Sequence, residues 1–375
     1  MQALGESSAG VTTIAVMTSW PDTRILDLFG ISAPIVLAPM AGPVLADLTV
    51  AVAQAGGLGS LPCALLPADR IRAELTEIRS RTDAAINLNF FCHTTPEPDP
   101  VADLAWRARL APYYVEAGLD PSVTPVASNR NPFDGGACEI IEEFRPEAVS
   151  FHFGLPEAAL LERVRATGAK VLGCATTVAE ARWLADRGAD LIIAQGAEAG
   201  GHRGMFLSTD VGTQVGTFAL VPQVVDAVDV PVIAAGGIGD PRAIVAALAL
   251  GAAAVQIGTA YLYTPEARIA VGHRKALLEQ NADDATALTN VFTGRPARGI
   301  VNRAMRELGP MSEATPPFPR AGGALAPLRS ATEPAGSTDF MSLWSGQAGT
   351  LSARYAGLSA AELTRTLARE ALARL

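Results

Sequence analysis

Short, almost wholly apolar segments recur along this chain, each ending in small or polar residues and followed by a helix-patterned stretch. The first is 35–40 (IVLAPM), with a helical pattern over 47–55. Residues 57–62 (GLGSLP) precede a second such pattern over 67–79, and 86–91 (INLNFF) is the third segment. A longer interval containing Pro112, Pro121, Pro125 and Pro132 leads to 148–153 (AVSFHF). The rhythm is then regular: 170–175, 190–195, 231–235 and 253–258 alternate with amphipathic stretches such as 177–187 and 241–250. Continuously hydrophobic strands are buried on both faces, which requires a parallel sheet with helices outside. Eight strand–helix units over about 240 residues predict a closed α/β barrel of the (β/α)8, or TIM, type. An open doubly wound sheet would place G-x-G-x-x-G after its first strand, whereas this strand leaves through Pro39-Met40-Ala41-Gly42.

Beyond Tyr263 the pattern changes. Residues 265–279 and 285–291 read as helical, Gly294 to Gly299 interrupt, and 313–338, rich in Pro, Gly and Ala, reads as a long loop. Ser359-Ala360-Ala361-Glu362 is a capping box that opens a last amphipathic helix. The expected organisation is a loose extension over 1–20, a barrel from 21–264 and 340–375, and a small, mainly helical domain over 265–339 inserted after strand eight.

Composition removes several functions. With 49% hydrophobic and 18% charged residues the chain is too apolar for disorder. Its 29 Lys+Arg against 38 Asp+Glu give −9, which argues against nucleic acid as a partner. Charged residues, Gly or Pro break every apolar run well short of the roughly 20 residues of a membrane span. Residues 1–20 hold no Lys or Arg and do not read as a signal peptide. Four scattered cysteines without a C-x-x-C pair read as thiols of a cytoplasmic protein, and four distant histidines give no metal motif.

In such barrels the reactive face is the carboxyl end of the strands. The seventh strand leaves through Gly236-Gly237 and the eighth through Gln256-Ile257-Gly258-Thr259, adjacent loops that suit a phosphate because glycine admits close approach of main-chain N–H groups. The sixth leaves through a loop from Gln195 to Gly204 that contains Gly200, Gly201, His202 and Arg203. It fits a cover over a flat ring with a phosphate tail, and equally a surface loop with an incidental histidine. His152 ends the fourth strand between Phe151 and Phe153, and strand alternation would point it to the barrel mouth, away from both rings. A neutral imidazole there can take a proton or bind an anion, although an isolated histidine in an apolar stretch also fits a hydrogen-bonded core. Asn87 and Asn89 share a face of the third strand and need partners, from a ligand or from neighbouring strands.

Taken together, Ala38-Pro39-Met40, Asn89-Phe90-Phe91, His152-Phe153-Gly154, the 195–204 loop, Ala235-Gly236-Gly237-Ile238, Gln256-Ile257-Gly258-Thr259 and Trp344-Ser345-Gly346-Gln347-Ala348-Gly349 resemble the nitronate monooxygenases, formerly 2-nitropropane dioxygenases. With 293–303 (TGRPARGIVNR) the likeness points to the bacterial class I branch. The resemblance implies one noncovalent FMN at the barrel top. Ala38, Pro39 and Met40 would lie along its ring system, with Asn89 and Gln195 hydrogen-bonding near it. Gly200 and Gly201 would approach the ribityl chain or phosphate, and Gly236, Gly237, Gln256, Ile257, Gly258 and Thr259 would hold the phosphate end. His152 would be the catalytic imidazole and His202 a second polar group by the substrate. The implied reaction converts an alkyl nitronate and O2 to a carbonyl compound and nitrite, with propionate 3-nitronate as the expected substrate. Arg295, Arg298 or Arg303 would meet its carboxylate. The protein would act as a monomer or homodimer. A rival on the same scaffold is an NAD(P)H-dependent flavin reductase of enoyl-acyl-carrier-protein or quinone type; a second is a phosphate-binding barrel without flavin.

Overall fold

The computed structural model describes residues 19–123, 130–280 and 285–375, so nearly all of the expected N-terminal extension lies outside the described residues. The eight apolar segments all form strands: β1 (Ile35–Leu37), β2 (Gly59–Pro62), β3 (Ile86–Phe91), β4 (Ala148–His152), β5 (Lys170–Ala175) and β6 (Leu191–Gln195), then, after a two-residue strand β7 (Gly201–His202), β8 (Val232–Ala235) and β9 (Ala254–Ile257). The eight pair in parallel in the order β1-β9-β8-β6-β5-β4-β3-β2. A bridge between Val36 and Leu58 closes the ring, with Leu37 N–H donating to Leu58 and Leu58 N–H to Ile35, both at 2.9 Å. The expected TIM barrel is the observed fold.

The helices α2 (Ala46–Gln54), α3 (Ala68–Arg81), α5 (Gly135–Phe144), α6 (Ala158–Ala166), α7 (Val178–Asp186), α8 (Thr217–Val225) and α9 (Pro241–Ala249) ring the barrel. Local chemistry sets their starts. Thr177 Oγ1 accepts from Glu180 N–H at 3.2 Å to open α7, and Asp240 accepts from Arg242 N–H at 2.9 Å while Pro241 takes the first position of α9. The Ser359–Glu362 capping box forms as expected and starts α14 (Ala360–Leu372), whose buried Leu363, Leu367 and Ala371 repeat every four residues and pack beside α2 and α9. A short helix, α1 (Arg24–Phe29), plugs the amino end of the barrel by packing Ile25 and Phe29 against Val36, Leu58, Leu191 and Ile233. Above this apolar plug, Asn87 Nδ2 donates to Ser60 Oγ (3.0 Å) and Ser150 Oγ (2.9 Å), so the barrel interior satisfies that amide nitrogen without a ligand.

The inserted region differs from its expectation. Residues 285–291, read as helical, hold strand β10 (Thr286–Thr289), which pairs antiparallel with β11 (Ala297–Ile300); β11 in turn pairs with β7. The insertion is therefore a small sheet as well as helices α10 (Val271–Glu279), α11 (Arg303–Leu308) and α12 (Ala321–Thr332). Helix α12 lies inside the supposed loop 313–338, masked by Gly322, Gly323 and Pro327. It forms because Ala324, Leu325 and Leu328 dock on Trp106, Leu110 and Tyr114 of α4 (Pro100–Glu116), forming a second core over the barrel mouth. Tertiary burial outweighs the poor local propensity. Among the described residues no helix is long and apolar enough to cross a membrane.

Candidate active site

The strand exits surround a cavity of about 540 Å³ at the carboxyl end of the barrel, within the size range of small-molecule sites. Fourteen of the fifteen residues expected at coenzyme or substrate line it: Ala38, Pro39 and Met40 along β1's exit, Asn89 and His152 on one side, Gln195, Gly200, Gly201 and His202 on the β6 loop, and Gly236, Gly237, Gln256, Gly258 and Thr259 at the last two exits. Ile257 does not. Alternation along β9 turns Gln256 inward and sends the Ile257 side chain into the core between barrel and helices, where it is buried; only its carbonyl acts locally, accepting from Ala38 N–H at 2.9 Å.

The glycines do different work. Gly236 and Gly237 both have positive φ (109° and 69°), a turn that favours glycine. A Cβ on Gly237 would stand in ordinary contact range, 3.5 Å from Glu198, and one on Gly201 would meet nothing within 4 Å, so both border open space. A Cβ on Gly200 would run into the backbone of Ser345 and Gly346 at 2.6 Å, so this glycine also serves to seat the loop on the Trp344–Gly349 motif. Thr259 Oγ1 accepts from Gly346 N–H at 2.9 Å and fixes the same motif from the other side.

His152 departs from the expected geometry in one respect. Strand β4 ends with it, Phe153 takes φ 72°, and the Phe153 ring lies 4.5 Å from the His152 ring instead of across the strand. A left-handed residue breaks the two-residue alternation, so Phe153 joins Phe91 and Phe318 around the imidazole's side of the cavity. His152 Nε2 donates to the His202 carbonyl at 3.2 Å, and Gln195 Nε2 donates to the same oxygen at 3.0 Å. Gln195 Oε1 accepts from Gly204 N–H at 2.8 Å, so this amide holds the loop as well as facing the cavity. His202 Nε2 lies 3.0 Å from Thr293 Oγ1, with its ring 5.6 Å from Trp344. Asn89 Nδ2 donates to Ser150 Oγ at 2.9 Å.

Burial, then the nearby Arg295 charge, pushes the His152 imidazole down to about 3, so it is neutral at physiological pH. His202 is likewise held well below its ordinary value, by burial first and then by Arg130. Burial likewise lowers His93, which packs on Phe318, to about 4, and His273, which also lines the cavity, to about 4. The native state therefore refuses protons that the unfolded chain takes up near pH 6.5, so stability is full above 6.5 and declines as pH falls toward 4. Each of these two buried rings should remove up to about 1.4 kcal/mol per pH unit in that window. Urea midpoints at pH 7 and pH 5 measure this, and the difference should shrink in a His93→Gln, His273→Gln double variant.

The arginines expected at a substrate carboxylate are engaged elsewhere. Arg298 donates to the Ala197 carbonyl (2.9 Å) and Thr286 (3.2 Å), and Arg303 pairs with Glu116 and Glu307 on the surface. Arg295 lies 3.9 Å over the Phe153 ring and donates to the Met205 carbonyl, outside the cavity lining. The cavity lining does include Arg130, Arg268 and Arg329, of which Arg268 pairs with Asp47 at 3.2 Å and Arg329 with Glu333 at 3.9 Å. Sequence reasoning missed Arg329 because α12, which carries it, reads as part of a loop.

The lining fits a flavin nucleotide. An apolar strip over Ala38–Met40 faces glycine-bordered space at the last two exits, and Gln256 Oε1 is buried with no partner among the described residues, an acceptor waiting for a donor. Comparison with known proteins agrees with the residue pattern. Residues 22–370 match the profile of the family described as nitronate monooxygenase. The chain is 41% identical over 353 residues to the nitronate monooxygenase of Pseudomonas aeruginosa, covering 92% of this chain and 98% of that protein. Its fold resembles the crystal structure of nitroalkane oxidase from Streptomyces ansochromogenes (TM-score 0.83, 38% identity, 93% and 98% coverage) and that of FabK from Thermotoga maritima (TM-score 0.70, 25% identity, 94% and 96% coverage). The chain belongs to the nitronate monooxygenase family, an oxidoreductase family.

Proposed function

We propose that this protein binds one FMN at the barrel mouth and oxidises alkyl nitronates with O2 to a carbonyl compound and nitrite, with propionate 3-nitronate as the best-fitting substrate. Gly236, Gly237, Gly258 and Thr259 would hold the phosphate, Ala38–Met40 would flank the ring, and Gln256 would accept a hydrogen bond from it. When bound, FMN supplies electron transfer from substrate and reactivity toward O2; the protein supplies binding, orientation and electrostatics.

The observation that carries this reading is a neutral His152 beside the cavity. Its Nε2 is committed to a carbonyl, so its free lone pair is on Nδ1. A group lowered to about 3 is a weak base, so a substrate that arrives already ionised suits the site better than a neutral nitroalkane. Arg295 over the Phe153 ring adds positive potential near His152 that favours the nitronate anion. Arg130 and Arg329 place cationic groups on the wall of the same cavity, complementary to a carboxylate at the other end of the substrate.

Anaerobic mixing separates this function from the NAD(P)H-dependent reductase. A nitronate should bleach the flavin absorbance, whereas NADH and NADPH should leave it unchanged over the same interval. Rapid bleaching by a pyridine nucleotide would reverse the assignment, and a colourless protein that takes up no FMN would remove both readings.

A further inference from the structure

The carbonyl of His202 serves two side chains at once, His152 Nε2 at 3.2 Å and Gln195 Nε2 at 3.0 Å. A carbonyl oxygen only accepts, so the ring hydrogen of His152 is on Nε2. Whatever holds that carbonyl in place therefore sets the tautomer of His152. The next residue does so. Arg203 is fully buried, and its guanidinium donates to the carbonyls of Gln195 and Gly196 (each 2.7 Å) and to Gln214 Oε1 (2.9 Å). Its own N–H donates to the Pro296 carbonyl at 2.9 Å, beside β11. One planar fork thus ties the exit of β6 to both limbs of the loop that carries His202.

The clamp is anchored further out. Gln214 Nε2 donates to Thr176 Oγ1 at 3.0 Å, Thr176 Oγ1 donates to Glu180 Oε2 at 2.7 Å, and the other Glu180 oxygen accepts the N–H groups of Phe206 (2.6 Å) and Leu207 (3.2 Å). Helix α7, which carries Glu180, and strand β11 thereby grip the loop from opposite sides, with His202 between them. Arg203 itself is not part of the cavity lining.

We propose that Arg203 is a positioning residue for proton abstraction: it locks the His202 carbonyl against His152, so that the ring keeps its hydrogen on Nε2 and Nδ1 receives the substrate's α-proton. This rests on the proposed nitronate chemistry and extends it to the neutral nitroalkane from which a nitronate forms. In the step, the C–H bond next to the nitro group breaks, its electron pair moves into the nitro group to give the nitronate, and the proton goes to Nδ1. The imidazolium later returns that proton to water. A nitronate supplied ready-made has no such proton to lose, so only the neutral substrate depends on the clamp.

Arg203→Lys keeps the charge but lacks the planar fork that reaches three acceptors. With nitroethane kcat/KM should fall at least about tenfold, while with preformed ethyl nitronate it should stay within about threefold. In protein labelled with 15N-histidine, wild-type His152 should show a protonated Nε2 and a bare Nδ1, and the variant a mixed signal. Gln214→Leu removes one acceptor from the rim of the network; it should show the same pattern in smaller measure, and it carries the test if Arg203→Lys does not fold. Parallel losses on both substrates, or an unchanged tautomer in the variants, would overturn the proposal. A wild-type protein inactive on both substrates, with the tautomer shifting as expected, would count against the nitronate reading while supporting the clamp.

Discussion

Replacing His152 with alanine should lower kcat/KM for a neutral nitroalkane by about 10²-fold, the low end for a positioned general base, because an imidazole lowered to about 3 is a weak one. Flavin content should not change. The side chain makes one hydrogen bond, to the His202 carbonyl, and packs against the rings of Phe91 and Phe153 at 5.9 and 4.5 Å. None of these contacts reaches the glycine-bordered exits of β8 and β9 where the phosphate is proposed to sit. The backbone stays in place as well, since the His152 carbonyl accepts from Cys92 N–H at 2.8 Å whatever the side chain. A preformed nitronate needs no base, so its turnover should fall much less. Steady-state kinetics on both substrates, with the flavin-to-protein ratio from absorbance, checks the result; equal rates on nitroalkane would remove His152 from the chemistry.

Gly237→Asp should abolish FMN retention. The position tolerates a side chain sterically, because the nearest atoms to a Cβ there belong to Glu198, at 3.5 Å and beyond. Its φ of 69° is a conformation that aspartate adopts at modest cost, about 1–2 kcal/mol. What changes is charge. A carboxylate about 5 Å from a phosphate oxygen repels it by about 3 kcal/mol per charge pair at an effective dielectric of 20, more than a hundredfold in affinity. The variant should purify colourless and folded, with far-ultraviolet circular dichroism like that of the stripped wild type. Normal yellow protein would move the phosphate site elsewhere. Gly236→Ala makes a useful contrast, since its Cβ would lie 3.0 Å from Ala199 N, the Gly196 carbonyl and Thr217 Oγ1, and should act on stability.

The barrel was readable because its signal is local and repeated. Every strand is a short run buried on both faces, so apolar continuity alone marks it, and Ser359 and Glu362 announce the last helix by side-chain chemistry. The features that went unread depend on partners far away in sequence. Strand β10 pairs with residues a dozen positions on, and β7 exists only because β11 lies beside it. Helix α12 carries Pro327 and is held by burial against α4, more than two hundred residues earlier, where Trp106 Nε1 donates to the Ala321 carbonyl at 3.2 Å. The site followed the same division. Residues at strand exits fell where alternation puts them, but Ile257 was included with a motif although its parity sends it outward. Phe153 escaped because one left-handed residue cancels alternation, and nothing in its own identity announces that.

Helix α14 occupies the slot between α9 and α2, and its Thr364 hydroxyl lies 2.8 Å from that of Tyr261 beneath it. During synthesis, the oily flanks of those two helices must wait uncovered until residues 360–372 emerge from the ribosome. The nascent chain can pair its strands and close the ring in order, yet it cannot cover that seam, and so cannot hide it from chaperones or from other unfinished copies, before this segment arrives.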